Sequence, residues 1–369
     1  MPVILAGLPA CAAVTTIATP ELDRPRPLPV AGTPLFDWKG IVHCHGFLSH
    51  DSDGTMEEIA DACGRASIDF VVMTDHQSEA SIRDGTRGMV GDTLFVVGAE
   101  VRAPQGTILA FPLVAPLRHF QHPGLLAKEA AAQGGLAFVC HGERWQIGFD
   151  VPELCGVEIV NLHAGAMTAN RFGTLLTGLF LPFRYLFERI CVRDPVVFDA
   201  WDHALAERHP FTPVGGNDAH ANVRVFGPLG GTIGNYREVF STLSTHVLAE
   251  HLDEVALVEA FRRGRTYVAF DVFGDGAGFD FRAVDGDRVE LGGADVVTAA
   301  TLTLRVRTPG PGQIALLRDG VVLRSANGRD LVETDPAPGV YRVEVQTPGG
   351  DPWLFSSTIR VLADPARRD

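Results

Sequence analysis

The sequence predicts an α/β fold, a barrel of alternating strands and helices, followed by a small antiparallel β-sandwich. Three observations carry this reading. Between residues 37 and 282, short and nearly continuous apolar runs alternate with helical segments, as in a parallel sheet buried on both faces. Histidines and carboxylates recur where those runs end, and polar residues at strand C-termini mark the active face of a barrel. After about residue 283, apolar and polar residues alternate between Asp319-Gly320 and Gly349-Gly350 turns, the pattern of antiparallel strands.

Taken in order, residues 1–36 read as a leader and linker. Residues 1–19 are apolar and rich in small side chains, and Leu8-Pro9-Ala10-Cys11 resembles a lipoprotein cleavage box without a positive n-region before it. A signal that starts further upstream and a disordered leader are both open. The first, with a periplasmic or lipid-anchored envelope location, is preferred to a cytoplasmic one. Residues 21–34 are rich in proline and arginine, as a linker is. The barrel, 37–282, has candidate strands at 40–45, 69–74, 93–98, 107–111, 135–140, 156–161 and 211–215. Between the first two, Thr55 and Glu58 form a capping box, and Ile59, Ala62, Cys63 and Ala66 supply the apolar face of a helix. The apolar stretch 174–183, followed by Arg184 and Glu188, predicts a buried or lid-like helix within an insertion, 164–200, that shapes access to the pocket. In the C-terminal domain, 283–369, strands are expected at 297–308, 313–318, 339–347 and 355–361.

Composition bounds the function. A chain of 369 residues accommodates one large domain and a smaller one, and 46% hydrophobic with 21% charged residues is the balance of a soluble globular protein. No apolar run reaches the roughly 18 to 20 residues of a transmembrane helix. A net charge of -14 argues against broad nucleic-acid binding. It leaves a small anionic substrate open, because bound cations reverse the local sign. Six cysteines without C-x-x-C spacing predict neither a zinc ribbon nor a disulfide framework. Cys44 and Cys140, beside candidate site histidines, read as buried thiols.

The chemistry starts at His43-Cys44-His45, where an extended strand projects both imidazoles to one face. Later runs end in Asp75-His76, Glu100, His141, Asn161-Leu162-His163 and Asp218-Ala219-His220. The candidate ligands in order are His43, His45, Asp51, His76, Glu100, His141, Asp218 and His220. Mn²⁺, Zn²⁺ and Fe²⁺ accept this nitrogen and oxygen mixture, and a pair of such ions clamps the attacking and leaving oxygens of a phosphoryl displacement. Buried unpaired at several strand ends, these groups would otherwise be costly.

Through His43-Cys44-His45, Ser49-His50-Asp51-Ser52-Asp53-Gly54-Thr55, Thr74-Asp75-His76, Gly98-Ala99-Glu100, Cys140-His141, Gly156-Val157-Glu158 and Asn217-Asp218-Ala219-His220, the chain resembles the PHP (polymerase and histidinol phosphatase) family of metal-dependent phosphoesterases, over about residues 38–282. The resemblance implies a distorted (β/α)7 barrel holding two or three divalent ions. His43, His45, Glu100 and Asp218 would hold one, Asp51, His76 and His220 another, while Glu100 and His141 would reach toward a third. The chain departs from the pattern at Gly106-Thr107, where many members have a Gly-His pair. His119, His122 or His163 could supply the missing donor, and Asp53 competes with Asp51 for the first carboxylate.

The activity implied is hydrolysis of a phosphate monoester or diester by metal-activated water. His76, His220 and Asp218 are the expected catalytic residues, with His76 or His220, or alternatively metal-bound water, protonating the leaving oxygen. Arg144 and Arg224 follow site motifs by a few residues. Either guanidinium could orient a small phosphorylated substrate or make an ordinary surface ion pair. Asp75 is expected to orient a neighbour, and Glu158 and Asn161 either line the pocket or make strand-end hydrogen bonds. His203, His209, His246 and His251 read as solvated or locally bonded, as do His119 and His122 in the simplest case. Two alternatives stand beside this: an amide or carboxyl-ester hydrolase on the same metal barrel, and a non-catalytic metal-stabilised scaffold whose β-sandwich binds a glycan or a protein.

Overall fold

The strand Phe36–Cys44 organises the N-terminal part of the fold. It is flanked in parallel by Phe70–Met73 on one side and by Thr212–Ala219 on the other. The computed structural model that shows this describes residues 27–168, 183–220, 223–224 and 232–365. The leader 1–26 and the stretch 169–182, which includes most of the expected apolar helix, lie outside the described residues.

From this central strand the pairings extend both ways. Phe70–Met73 pairs in parallel with Thr93–Val97, and Thr212–Ala219 pairs in parallel with Gly156–Asn161. Gly156–Asn161 in turn lies parallel to Leu136–Cys140. The segment expected as a further parallel strand at 107–111 differs. Gly106–Phe111 is antiparallel to both Ala99–Ala103 and Leu136–Cys140. Only two residues separate it from Ala103, and a loop that short joins antiparallel neighbours, not parallel ones. Thr93–Val97 runs into Ala99–Ala103 through Gly98 alone, so the pairings return to their starting strand. A Cβ at Gly98 would lie 2.4 Å from the Ala110 carbonyl oxygen, which is why this crossing needs glycine.

Both faces of this circuit are buried. Val42, Val72, Val96, Leu109, Phe138, Cys140 and Val214 share one apolar cluster. Their neighbours Ile41, Val71, Phe95, Ile108, Val139 and Ile159 pack on the other side with the helices. The helix Met56–Ala66 starts with the expected capping box. The Glu58 N–H donates to Thr55 Oγ1 at 3.3 Å, and the Thr55 N–H donates to Glu58 Oε2 at 2.9 Å. It buries Ile59, Ala62, Cys63 and Ala66. Trp201-Asp202-His203 lies in the helix Pro195–Glu207.

Twenty of the described strands join in one sheet, so the fold is mixed α/β with more strand than helix. Ser244–Ala249 pairs with the start of Phe36–Cys44 and with Thr266–Ala269, which pairs with Pro352–Ser356. The two strands expected at 297–308 and 313–318 differ from those found. Thr303–Arg318 is a single strand, preceded by a short one, Asp295–Val297. Its register breaks between Arg307 and Gly312, around Pro309-Gly310-Pro311. Its first half pairs with Asp280–Asp285 and its second with Gly339–Gln346. Its hairpin partner Val321–Thr334 was not expected. No helix among the described residues is long and apolar enough to cross a membrane.

Candidate metal centre

The candidate ligands meet where the parallel strands end, and the backbone there departs from extended geometry. His43, His141 and Asp218 have φ of 67°, 50° and 49°. The register of Phe36–Cys44 slips against both parallel neighbours, between Val42 and Cys44 on one side and between Gly216 and Ala219 on the other. Left-handed residues beside a bulge re-aim side chains that plain alternation would send elsewhere. The convergence of His43 and His45, with ring centroids 5.1 Å apart, therefore depends on a bulged strand end and not on an ideal strand.

Three overlapping donor groups result: His43, His45 and Asp218; His45, Asp51, His76 and His220; and His43, Glu100, Cys140 and His141. Within each, one ligand atom per residue lies within 4.8 Å of the others. All eight candidate ligands are thus brought together. The grouping differs from the expected one: Glu100 leaves His43, His45 and Asp218, His45 also joins Asp51, His76 and His220, and both His43 and Cys140 stand with Glu100 and His141.

The spacing is informative. Glu100 Oε2 lies 3.4 Å from His43 Nε2, 3.3 Å from His45 Nε2 and 3.5 Å from His76 Nδ1. Asp218 Oδ1 lies 3.3 Å from His43 Nε2 and 3.6 Å from His45 Nε2, and His141 Nε2 lies 3.5 Å from Asp218 Oδ2 and 3.7 Å from Glu100 Oε1. Charge-assisted hydrogen bonds are shorter, about 2.7–2.9 Å. Ligand atoms about 2.0–2.1 Å from one tetrahedral ion stand about 3.4 Å apart. His45 Nε2 is buried with no hydrogen-bond partner, so a lone pair points at the same space.

The other ring nitrogens are tied back. His43 Nδ1 donates to Glu158 Oε1 at 2.7 Å, and His220 Nδ1 donates to the Asp218 carbonyl at 2.9 Å. Ser49 Oγ donates to Asp51 Oδ1 at 2.7 Å and so receives the His45 Nδ1 proton at 3.3 Å. In each ring Nε2 is left as the inward lone pair, the orientation of a ligating imidazole with its outer nitrogen anchored. His76 and His141 are exceptions: His76 Nε2 lies 3.0 Å from Asp51 Oδ2, and His141 Nδ1 lies 3.6 Å from Glu143 Oε1 without a hydrogen bond. Glu158, buried, also accepts from the His141 N–H at 3.0 Å and from Asn161 Nδ2 at 3.0 Å. Asp75 accepts from the Gly46 N–H at 2.6 Å, Tyr236 donates to the His45 carbonyl at 2.6 Å and Ser52 donates to the His220 carbonyl at 2.7 Å. Asp75 and Glu158 thus hold neighbours in place, whereas Tyr236 carried no signal in the sequence.

Electrostatics follow from burial and crowding. Burial alone would push the Glu100 and Asp218 carboxyls up. His43 and His45 outweigh it, holding Glu100 well below its usual range and, with His141, Asp218 at about 2. Burial lowers His45 to about 4, against the pull of Glu100. Burial also works to lower His43 and His141. Asp218, Cys140 and Glu158 overcome it at His43, which lies well above its usual value, while Cys140, Glu143 and Glu158 raise His141 to about 12.

The remaining candidates fall outside the cluster. Arg144 is largely exposed, with Nε 3.4 Å from Glu143 Oε1. Arg224 lies in the short strand Val223–Arg224, and its side chain lies outside the described residues. His119 is exposed beside Gln77, and His122 caps the helix Pro123–Ala132. His163 is exposed at the rim, within electrostatic reach of Asp218, His141 and His220. His246 is fully buried, its Nδ1 2.7 Å from Asp37 Oδ1.

No protein-family model matches the chain, and no curated protein matches it. Among solved structures it is similar to a two-domain protein from Bacteroides vulgatus ATCC 8482 containing a predicted PHP-like metal-dependent phosphoesterase, at 15% identity and a TM-score of 0.45 over 88% of this chain and 96% of that one. A likeness at this level assigns neither family nor activity.

Proposed function

We propose that this protein is a metal-dependent hydrolase of the PHP type that cleaves a phosphate ester, monoester or diester. The observation that supports it is the donor spacing: carboxylate oxygens and imidazole nitrogens 3.3–3.7 Å apart around Glu100 and Asp218, the separation set by shared ions. His43, His45, Asp51, His76, Glu100, His141, Asp218 and His220 would hold two or three divalent ions, of manganese, zinc or iron. Such ions supply a water of lowered pKa and offset charge on the phosphoryl oxygens. The circuit of strand pairings supports a distorted (β/α)7 barrel over 37–282. The second apolar cluster, from Tyr267 to Val361 and lying mostly beyond residue 283, supports a separate sandwich over 283–369.

The protein's own groups divide the remaining work by exposure. His43 and His45 are sealed from solvent, whereas the side chains of His76 and His220 are 16% exposed and that of Asp51 33%. Substrate therefore approaches over His76, His220 and Asp51, and water supplies the proton for the leaving oxygen, because a ligating imidazole is neutral and the remaining N–H of His220 is tied to the Asp218 carbonyl. Asp218, 3.3–3.6 Å from His43, His45 and His141, positions the sealed side. Arg144 would meet the substrate from the rim once it leaves Glu143.

The test is hydrolysis of paired chromogenic phosphate monoesters and diesters in Mn²⁺, with carboxyl-ester and amide chromogens alongside. Turnover of one phosphate class, abolished by chelator and by Asp218→Ala, is expected. Turnover of only the carboxyl-ester or amide substrates, or of none by a folded, metal-loaded protein, overturns the proposal.

A further inference from the structure

We propose that Cys140 is a metal ligand, its thiolate completing the ion position shared by Glu100 and His141 and making that position selective for a thiophilic ion such as Zn²⁺ or Fe²⁺. The inference rests on the metal-dependent reading above and deepens it. A cysteine next to a strand-end histidine is most simply a small buried hydrophobe. The geometry argues otherwise. Cys140 ends the strand Leu136–Cys140 on the same face as Val42, Val72, Phe138 and Val214, at the level where the histidines begin. One ligand atom from each of His43, Glu100, Cys140 and His141 lies within 4.8 Å of the others, and the sulfur also lies 3.8 Å from His43 Nδ1, the nitrogen that donates to Glu158.

The neighbouring strand leaves room for such a donor. Thr107, directly opposite Cys140 in the antiparallel pair, carries a hydroxyl and neither an imidazole nor a carboxylate. The left-handed turn at His141 lets two consecutive residues present ligand atoms to one place, which an extended strand does not allow. Without the sulfur, Glu100 and His141 would share this position with His43 alone, a ring already committed to His45 and Asp218. A thiol that coordinates gives up its proton to the medium and stays as thiolate. Thiolate favours zinc and iron over manganese or magnesium.

Cobalt(II) loading of the full chain tests this. Visible d–d absorption reports a bound ion, and near-ultraviolet absorption reports sulfur-to-cobalt charge transfer. The expected result is both in the wild-type protein, with the near-ultraviolet band lost and the visible bands kept in Cys140→Ser. Visible bands without charge transfer, or charge transfer that survives in Cys140→Ser, overturn the Cys140 assignment and leave the metal centre standing. Absence of visible bands overturns both. X-ray absorption of the zinc-loaded wild-type protein needs no variant: a Zn–S distance of about 2.3 Å is expected, and a shell of nitrogen and oxygen alone overturns the proposal.

Discussion

The Glu158 carboxylate holds the His43 imidazole from behind, Oε1 to Nδ1, at 2.7 Å, both side chains fully buried. The bond fixes which nitrogen carries the proton and turns Nε2 toward Glu100 and Asp218. Such outer partners typically contribute a factor of about 10–100 in metal affinity. Glu158→Gln keeps the shape and loses the charge. We expect metal affinity to fall by a factor within that range while far-ultraviolet circular dichroism stays unchanged. An unchanged affinity in a direct titration would show that His43 needs no such anchor.

Metal uptake is expected to release protons. Cys140, Glu143 and Glu158 raise His141 to about 12 against burial, so it carries a proton at pH 7 in the metal-free protein. Ligation requires the neutral ring. Each proton displaced steepens apparent affinity by about tenfold per pH unit while the group remains protonated in the free state. Calorimetric titration at pH 7 in two buffers of different ionisation enthalpy should show at least one proton released per chain. Identical heats in the two buffers would mean that His141 is already neutral.

The candidate ligands were legible because imidazoles and carboxylates at the ends of apolar runs are costly to bury unless something there binds them. Their division into donor groups was not. It depends on left-handed turns at His43, His141 and Asp218, and residue types there do not announce φ. Cys140 passed for core because burial and ligation ask for the same residue at a strand end. The direction of Gly106–Phe111 was hidden for a similar reason, since a run buried on both faces reads alike in either direction. The Pro104-Gln105 turn before it carried the missing signal. Val321–Thr334 escaped because it is mostly exposed, so no apolar alternation marks it.

Tyr236 ties a distant helix to the site by donating to the His45 carbonyl at 2.6 Å. The contact is close: a Cβ at Gly54 would fall 1.9 Å from the Tyr236 hydroxyl. Removing the hydroxyl leaves a buried carbonyl short of a donor, a cost of about 1–3 kcal/mol. Tyr236→Phe is therefore expected to lower the urea midpoint with an unchanged m-value. Because the lost bond is at His45, bound metal should recover part of the difference. Equal destabilisation with and without metal would separate Tyr236 from the site.

Acid stability should carry the signature of His209, which belongs to none of the three donor groups. Its side chain is fully buried, with Nδ1 2.8 Å from Asp295 Oδ1. Burial lowers its pKa below the ordinary value of 6.5, and Asp295, pulling the other way, does not overcome it. The sign follows from proton counting. Below pH 6.5 the unfolded chain protonates this ring while the folded protein does not, so the unfolded state gains protons and stability falls with pH. The loss ends where folded His209 itself titrates. One proton sets a limiting slope of about 1.4 kcal/mol per pH unit. Asp295 adds its own loss lower down, below 3.8, because Arg360 and His209 depress its carboxyl against burial. Denaturant unfolding between pH 7 and 4.5 should therefore show a shallower decline in His209→Gln than in the wild-type protein. Parallel curves for the two would assign the acid sensitivity in that window to other groups.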